Sequence, residues 1–539
     1  MTQSDSHHHP SNIYLYGPSG SGKSTIGRLL AENLNRPFVD LDLEIETQSG
    51  MQIPEIFSKE GEPGFRVREK RALEDVIGDQ EVVIALGGGA LTVPEVRTLV
   101  EGNGIVIMLN APVDTLLARL QVDPIKRPLI TPSPGKVGAG TAEANLTAYL
   151  ARRKDHYASF PLRVDTDDKN PDEIAWEIQV HAGAFHLRAM AGPKHPGYDV
   201  RVQPNGLDHL GEMLKVRGLK GPVALVTDEN VGALYGARVI QSLEDSGYRT
   251  YEVVLRPGEA HKNLSTISQL WDAFLAAKIE RGSTVVALGG GVVGDLAGFA
   301  AAMFLRGVSW VAVPTSLLAM VDASMGGKTG ADLPQGKNLI GAFYPPRFVL
   351  ADPEVLKSLP EIEFINGMAE VLKHGVIADT DLFERCLALR GVDNLADLDE
   401  LVRRGMAMKI RFIEEDPYEG GIRAALNYGH TIGHGVELAS DFKIRHGEAV
   451  AIGMVLEARL AEKIGLAKPG LSDEIVKALQ HLNLPTRIPP GLDRVQIVSA
   501  MQRDKKVAGG VIKFALPITI GQVQVGIEIK DWEKAVRAA

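Results

Sequence analysis

Residues 12–34 read NIYLYGPSGSGKSTIGRLLAENL. The first five residues suit a short strand, and from Lys23 onward apolar residues recur at helical spacing. Between them, Gly17-Pro-Ser-Gly-Ser-Gly-Lys23-Ser24-Thr25 has the spacing of a phosphate-binding loop in the strand-to-helix context such a loop requires. Gly17, Gly20 and Gly22 let backbone N–H groups turn toward a phosphate at the helix N-terminus. Lys23 brings positive charge to the outer phosphates, and the Ser24 hydroxyl, next to Thr25, can ligate Mg²⁺. ATP with Mg²⁺ is the expected ligand, although the loop alone does not choose between a kinase and a hydrolase.

The segments that follow fit one parallel-sheet α/β domain over residues 12–182. Strand-like PFVD precedes a helix from near Asp42, and VVIAL at 82–86 runs into Gly87-Gly88-Gly89. GIVIMLN at 104–110 and LRVDT at 162–166 read as further strands, each followed by a helix. Residues 121–142, rich in Pro, Gly, Lys and Thr, read as a mobile loop. Residues 1–11, with His7, His8 and His9, read as a flexible tail, and 183–197 as a linker. The alternation restarts over 198–355, an expected α/β nucleotide-binding half. Over 356–539 the pattern becomes mainly amphipathic helix, an expected metal- and substrate-binding half.

At 539 residues the chain exceeds one ordinary core. A net charge of −10 argues against general nucleic-acid binding, which needs basic surface. The single cysteine, Cys386, allows neither an intrachain disulfide nor a thiolate cluster, which suits a reducing compartment. The N-terminus lacks a basic region followed by an apolar one, and no apolar run is long enough to span a membrane. A cytoplasmic enzyme is expected.

Two sites emerge from the residues themselves. Asp40 and Asp42 close the second strand, placed to order Mg²⁺ and accept a substrate hydroxyl's hydrogen bond. Arg66, in GFRVREKRALE, reads as a carboxylate clamp or as a solvated arginine. Further on, Gly289-Gly-Gly-Val-Val-Gly-Asp295 follows a strand and opens a helix; it reads equally as a dinucleotide loop or a tight turn. Asp228, just after a strand, is a ribose-hydroxyl acceptor or a satisfied turn aspartate. Glu370, His430, His434 and His446 are candidate ligands of a catalytic metal, or scattered core and surface histidines with a carboxylate. His430 and His434 are four apart, so they share a helix face. Lysines near these glycine turns suit a phosphorylated, carboxylated substrate, or are ordinary surface lysines.

Over about residues 12–180 the chain resembles the shikimate kinase family, on GPSGSGKSTIGRLLAENL, FVDLDLEIE, GEPGFRVREKRAL, ALGGGA and RPL. The resemblance implies phosphoryl transfer from ATP to the 3-hydroxyl of shikimate. It implies that Asp42, Arg66, Gly88 and Arg153 bind shikimate, that Asp40 organises the metal and the reacting hydroxyl, and that Arg127 is the lid arginine. Where the family usually carries R-x-P-L-Y, this chain has Arg153-Lys-Asp-His-Tyr157, with Arg152 adjacent.

Over about residues 200–539 the chain resembles 3-dehydroquinate synthase, on PGEAHK, ALGGGVVGDLAGFAA, FLRG, VPTSLLAMVDASMGGKTG, GKNLIGAFYPP, GMAEVLKHG, LNYGHTIGHGVE, HGEAVAIGM and RDKKVAGG. By that resemblance Glu370, His430 and His446 ligate Zn²⁺ or Co²⁺, and His434 faces substrate. Asp228, Glu259, Lys262, Gly290, Gly291, Asp295 and Thr315 would hold NAD. Lys328, Lys337, Asn338, Lys409, Arg423, Asn427 and Lys505, next to Lys506, would hold 3-deoxy-D-arabino-heptulosonate 7-phosphate. Asp322, Lys373 and His434 would handle protons, and Arg306 would reach the neighbouring subunit's substrate phosphate, which implies a homodimer. The resemblance implies that NAD is used and regenerated within each turnover. A metal-dependent polyol or glycerol dehydrogenase, which would release reduced cofactor, is the nearest alternative. The other is a scaffold of inactive enzyme domains.

Overall fold

The computed structural model describes residues 12–78, 80–122, 141–189, 196–391, 394–503 and 512–538. Arg127, Lys505 and most of the proline-rich loop lie outside them. The chain divides into two compact units, Met1–His186 and Leu187–Ala539. The change falls within a short strand, Ala184–Leu187, inside the segment expected as a linker.

The first unit is built on β1 (Asn12–Tyr16), β2 (Phe38–Asp40), β3 (Val83–Ala85), β4 (Gly104–Asn110) and β5 (Arg163–Asp165). They pair in parallel in the order β2-β3-β1-β4-β5. The two-residue period of a strand explains the layers. Ile13 and Leu15 point into one apolar cluster with Ile26 and Leu30, while Tyr14 and Tyr16 point into another with Leu41 and Leu73. Both faces are therefore buried, as a parallel sheet requires. The flanking helices used below are α1 (Lys23–Leu34), α2 (Leu41–Ser49), α3 (Ile53–Ile77) and α4 (Ala142–Ala158). The α3 segment is kinked at Gly61, whose φ is 71°. Arg66, expected near a helix start, sits in the part beyond the kink.

The second unit holds β6 (Tyr198–Val202), β7 (Val223–Asp228), β8 (Thr250–Leu255), β9 (Thr284–Gly289), β10 (Ser309–Pro314), the antiparallel pair β11 (Lys328–Leu333) and β12 (Gly336–Phe343), and β13 (Phe348–Ala351). The parallel order is β6-β13-β10-β9-β7-β8. The strands β7 and β8 run toward one edge, and β9, β10 and β13 toward the other. The order therefore reverses between β7 and β9, the place where open α/β sheets leave a crevice beyond their carboxyl ends. Asp228 ends one of these strands and Gly289 the other. Then α5 (Gly291–Met303) starts directly after the glycine turn.

The helical half contains α6 (Glu361–Ala378), α7 (Leu395–Glu415), α8 (His430–Ala439) and α9 (His446–Lys463). It is not helical throughout: β14 (Lys513–Thr519) and β15 (Gln522–Glu528) form an antiparallel pair near its end. Helices α8 and α9 cross so closely that a Cβ added to Gly453 would collide with the carbonyl oxygen of Gly429, which itself has φ 79°. Gly453→Ala is therefore expected to cost about 1–3 kcal/mol of unfolding free energy through overpacking. Denaturant unfolding of the full chain checks this, and an unchanged midpoint would mean the helices part freely.

Candidate functional site

In the first unit, the loop after β1 reaches α1 through Gly22, whose φ is 93°. Lys23 Nζ donates to the carbonyls of Gly17 and Pro18 at 2.9 and 3.0 Å, holding its charge over the loop. The Ser24 hydroxyl donates to Asp40 Oδ2 at 2.6 Å, which brings two expected metal-ordering groups together. Asp40 Oδ1 accepts from the Asp42 N–H at 3.2 Å, so it also caps α2. A cavity of about 690 Å³ runs from this loop past Asp40 and Asp42 to Arg66, Glu69 and Gly88.

Arg66 is bound to Glu69 one turn later and to Glu62 one turn earlier. Burial opposes its charge, and these carboxylates outweigh it, so the guanidinium is more firmly charged than usual. Glu69 is itself buried, and burial lifts its carboxyl above the usual range against the pull of Arg66. The carbonyl of Gly88 gathers donors: Arg153 Nη1 at 2.7 Å and the hydroxyls of Tyr157, Tyr16 and Tyr149 at 3.0, 3.3 and 3.4 Å. The Arg153 guanidinium lies 4.2 Å from the Tyr149 ring centroid and also bonds its hydroxyl.

Sequence reasoning missed Tyr149 and Arg119. Tyr149 stands one turn before Arg153 on α4, a spacing that could have flagged it. Arg119 lines the loop end of the cavity and donates to Thr166 Oγ1 at 2.9 Å; no local signal marks it.

In the second unit, α6 buries Glu370 completely. The nearest Nε2 atoms are those of His430, at 3.5 Å from Glu370 Oε1, and His446, at 3.7 Å. Glu370 Oε1 is buried without a hydrogen-bond partner among the described residues, while Oε2 is paired with Lys373 one turn along α6. Burial alone would raise this carboxyl; Lys373, His430 and His446 hold it well below the usual range instead. Burial, then Lys373, keeps His430 far below the usual imidazole value, the neutral form a metal requires. His446 Nδ1 faces Glu437 Oε2 at 3.3 Å, leaving Nε2 toward Glu370. Burial opposes a proton on His446, but Glu370 and Glu437 outweigh it and carry the ring up to about 10. Nitrogen and carboxylate donors in this closeness fit a divalent cation.

The spacing of His430 and His434 does put their rings side by side, with centroids 5.3 Å apart. His434 nevertheless groups with Glu437 and His446, while Glu370 groups with His430 and His446. Glu437 was missed, although it lies seven residues after His430 on the same face.

Beside this cluster, a cavity of about 660 Å³ is lined by Asp295, Asp322, Lys328, Asn338, Lys373, Lys409, Asn427, His430 and His434. Lys409 pairs with Asp322. Lys262 is buried; Asp295 Oδ2 at 2.6 Å and Glu259 at 4.0 Å outweigh its burial and raise its affinity for the proton. Its Nζ also donates to Asn338 Oδ1 at 2.6 Å. Glu419, missed from sequence, lines the cavity and ties Lys328 to the buried Arg423.

Other residues lie outside the lining of this cavity. Asp228 Oδ1 caps the turn at Asn230 and Val231, at 2.9 and 3.0 Å. The Thr315 N–H donates to the Gly289 carbonyl at 3.0 Å. Gly290 precedes the first turn of α5 and Gly291 opens it. Lys337 stands 3.7 Å from Glu259 and over the Phe442 ring. Arg306 is exposed in the left-handed region, φ 66°.

Fold and sites together define a two-part enzyme: a P-loop kinase unit, then a Rossmann-like NAD-binding region joined to a helical one. The shikimate kinase model matches residues 19–182, and the 3-dehydroquinate synthase N-terminal and C-terminal models match 252–366 and 367–507. A 3-dehydroquinate synthase of Synechocystis sp. (strain ATCC 27184 / PCC 6803 / Kazusa) is 46% identical over 345 residues, 63% of this chain and 95% of that protein. The chain belongs to the 3-dehydroquinate synthase family and carries a shikimate kinase family domain in front of it.

Among solved structures, a 2-deoxy-scyllo-inosose synthase complexed with carbaglucose-6-phosphate, NAD⁺ and Co²⁺ is 25% identical, with a TM-score of 0.59 over 66% of this chain and 100% of that one. A 2-epi-5-epi-valiolone synthase from Streptomyces hygroscopicus subsp. jinggangensis 5008, with NAD⁺ and Zn²⁺ bound, is 28% identical, with a TM-score of 0.59 over 65% of this chain and 97% of that one. Among the described residues, no helix is long and apolar enough to cross a membrane.

Removing one partner from a buried ion pair costs about 3–5 kcal/mol. Lys373→Met is expected to lose about that much stability in metal-free protein, and clearly less when saturating Zn²⁺ compensates Glu370. Paired denaturant melts check this; equal losses in both would mean that Glu370 does not face the cation.

Proposed function

We propose that this chain is a bifunctional cytoplasmic enzyme. Its front half transfers the ATP γ-phosphoryl group to the 3-hydroxyl of shikimate. Its second half converts 3-deoxy-D-arabino-heptulosonate 7-phosphate to 3-dehydroquinate and inorganic phosphate. The observation that carries the second activity is the cavity flanked by the Glu370–His430–His446 cluster and walled by Lys328, Lys373 and Lys409. A polyol needs no such concentration of cations, whereas a phosphorylated carboxylate does.

In the kinase half, Gly17, Gly20, Gly22, Lys23, Ser24 and Thr25 hold ATP with Mg²⁺. Asp40 orders the metal through Ser24 and orients the reacting hydroxyl. Asp42, Arg66, Gly88 and Arg153 position shikimate, with Arg66 and Arg153 on its carboxylate. By the family resemblance, Arg127 reaches the phosphates. The chemistry is mostly placement and charge stabilisation.

In the synthase half, Asp228, Glu259, Lys262, Gly290, Gly291, Asp295 and Thr315 bind NAD, and Glu370, His430 and His446 bind Zn²⁺ or Co²⁺. When bound, these groups supply reversible hydride transfer at C5 and polarisation of the neighbouring oxygens. Lys328, Lys337, Asn338, Lys409, Arg423, Asn427 and Lys505 fix the substrate's carboxylate, hydroxyls and phosphate. Asp322, Lys373 and His434 hold and move protons at the C5 oxygen and during ring opening. Loss of phosphate needs the C–H next to the transient C5 ketone, which is acidified there. The expected products are 3-dehydroquinate and phosphate, with no net NADH. Arg306 reaches a neighbouring subunit's substrate phosphate, so the working unit is a homodimer.

Two assays on the intact chain test this. ADP formation should depend on shikimate, and phosphate release from the seven-carbon substrate should proceed without accumulation of NADH. Lys23→Ala should lower the first at least about 100-fold while sparing the second. Glu370→Ala should do the reverse. Shikimate-independent ATP hydrolysis would refute the kinase assignment, and accumulating NADH would turn the second half into a polyol dehydrogenase.

A further inference from the structure

Helix α8 carries His430, His434 and Glu437, yet it begins after Gly429, which has no side chain to cap it. Its first N–H groups are instead met from another helix. Glu457 lies on α9 and is fully buried. Its Oε2 accepts from the Gly429 N–H at 2.7 Å and its Oε1 from the Ile432 N–H at 3.1 Å. The Thr431 N–H also reaches it. The carboxylate therefore grips the backbone on both sides of His430. Burial pushes its carboxyl up to about 8, against the pull of these N–H groups. The geometry nonetheless favours the carboxylate, because both oxygens already accept from backbone N–H groups and a proton on either would find no acceptor.

The same helix supplies His446 at its first residue, three turns before Glu457. The α9 helix thus delivers one of the clustered histidines at its first residue and holds the backbone of another three turns along. Tyr428 reinforces this grip: its hydroxyl donates to the Met454 carbonyl at 2.8 Å, and its own carbonyl meets His430 Nδ1 at 3.2 Å. We propose that Glu457 is a positioning residue for the metal cluster, fixing the place of His430 relative to Glu370 and His446 before any metal arrives. This inference rests on the metal-site reading above. It adds a residue that touches neither metal nor substrate and acts through the α8 backbone.

The test uses the full chain and Co²⁺ alone, followed by visible absorption. Glu457→Gln keeps the volume but turns an amide NH₂ toward N–H donors. It should bind Co²⁺ at least about 10-fold more weakly, the usual scale for an outer partner of a metal ligand. Shikimate-dependent ADP formation by the same molecule should stay unchanged, which separates displacement of the cluster from general unfolding. Glu457→Asp, which retains the carboxylate, should recover part of the affinity. Unaltered Co²⁺ affinity in Glu457→Gln overturns the positioning role and leaves the metal site standing. Failure of the parent chain to bind Co²⁺ overturns both. A measurement on the unsubstituted protein remains decisive if the variants do not fold. Amide hydrogen exchange at Gly429, Thr431 and Ile432 should be strongly slowed in metal-free protein, and free exchange there overturns the proposal.

Discussion

A carboxylate with no exposure to water must be compensated or give up its charge. Glu370 is in that position, and most of the second unit's site can be understood as its compensation. Lys373 supplies one positive partner from the same helix, at helical spacing. The remaining oxygen faces His430 and His446, and the three form a candidate cation site. Bringing those two histidines to a residue on α6 requires α8 and α9 to pack almost backbone to backbone, which is why glycines occupy their crossing. The buried charge, the glycine contact and the clustered histidines form one arrangement.

The two halves of the chain handle anions by different physics. In the first unit, what an anion would meet is the backbone N–H groups at the start of α1, with Lys23 held over the loop by two carbonyls. Such a site is almost wholly local: strand, glycine turn and helix follow one another in sequence. In the second unit, the charged groups of the cavity come from segments spread between Asp295 and His434. Their charges are set in pairs, Lys328 with Glu419, Lys373 with Glu370 and Lys409 with Asp322, so each lysine enters the site already partnered.

That difference decides what could be read from sequence. The strand–loop–helix at 12–34 was legible because its residues are contiguous and their spacing has one physical meaning. The α/β character of both units was legible from the alternation of strand and helix periods. The C-terminal pair β14 and β15 was not, because Lys513–Glu528 follows a long helical stretch and its partner strand is its own neighbour. Helical spacing correctly placed His430 and His434 on one face, yet it could not say which faces Glu370. The crossing of α6 decides that, and such a crossing is a tertiary fact. The same holds for Arg119, Tyr149 and Glu457, whose partners lie 47, 61 and 28 residues away.

The Gly88 carbonyl has two lone pairs but four donors within reach. It is oversubscribed, and this gives the first unit a form of redundancy. Arg153 makes the shortest of these bonds, and it is the donor most readily drawn off by a carboxylate. Were it to turn away, a tyrosine hydroxyl already at hand would take the vacated lone pair. The half-buried oxygen would not be orphaned, so a change of partner by the half-buried guanidinium would cost less than the loss of a sole hydrogen bond. Surplus donors around one backbone atom would thus let a pocket wall keep its hydrogen bonds while one charge changes partner.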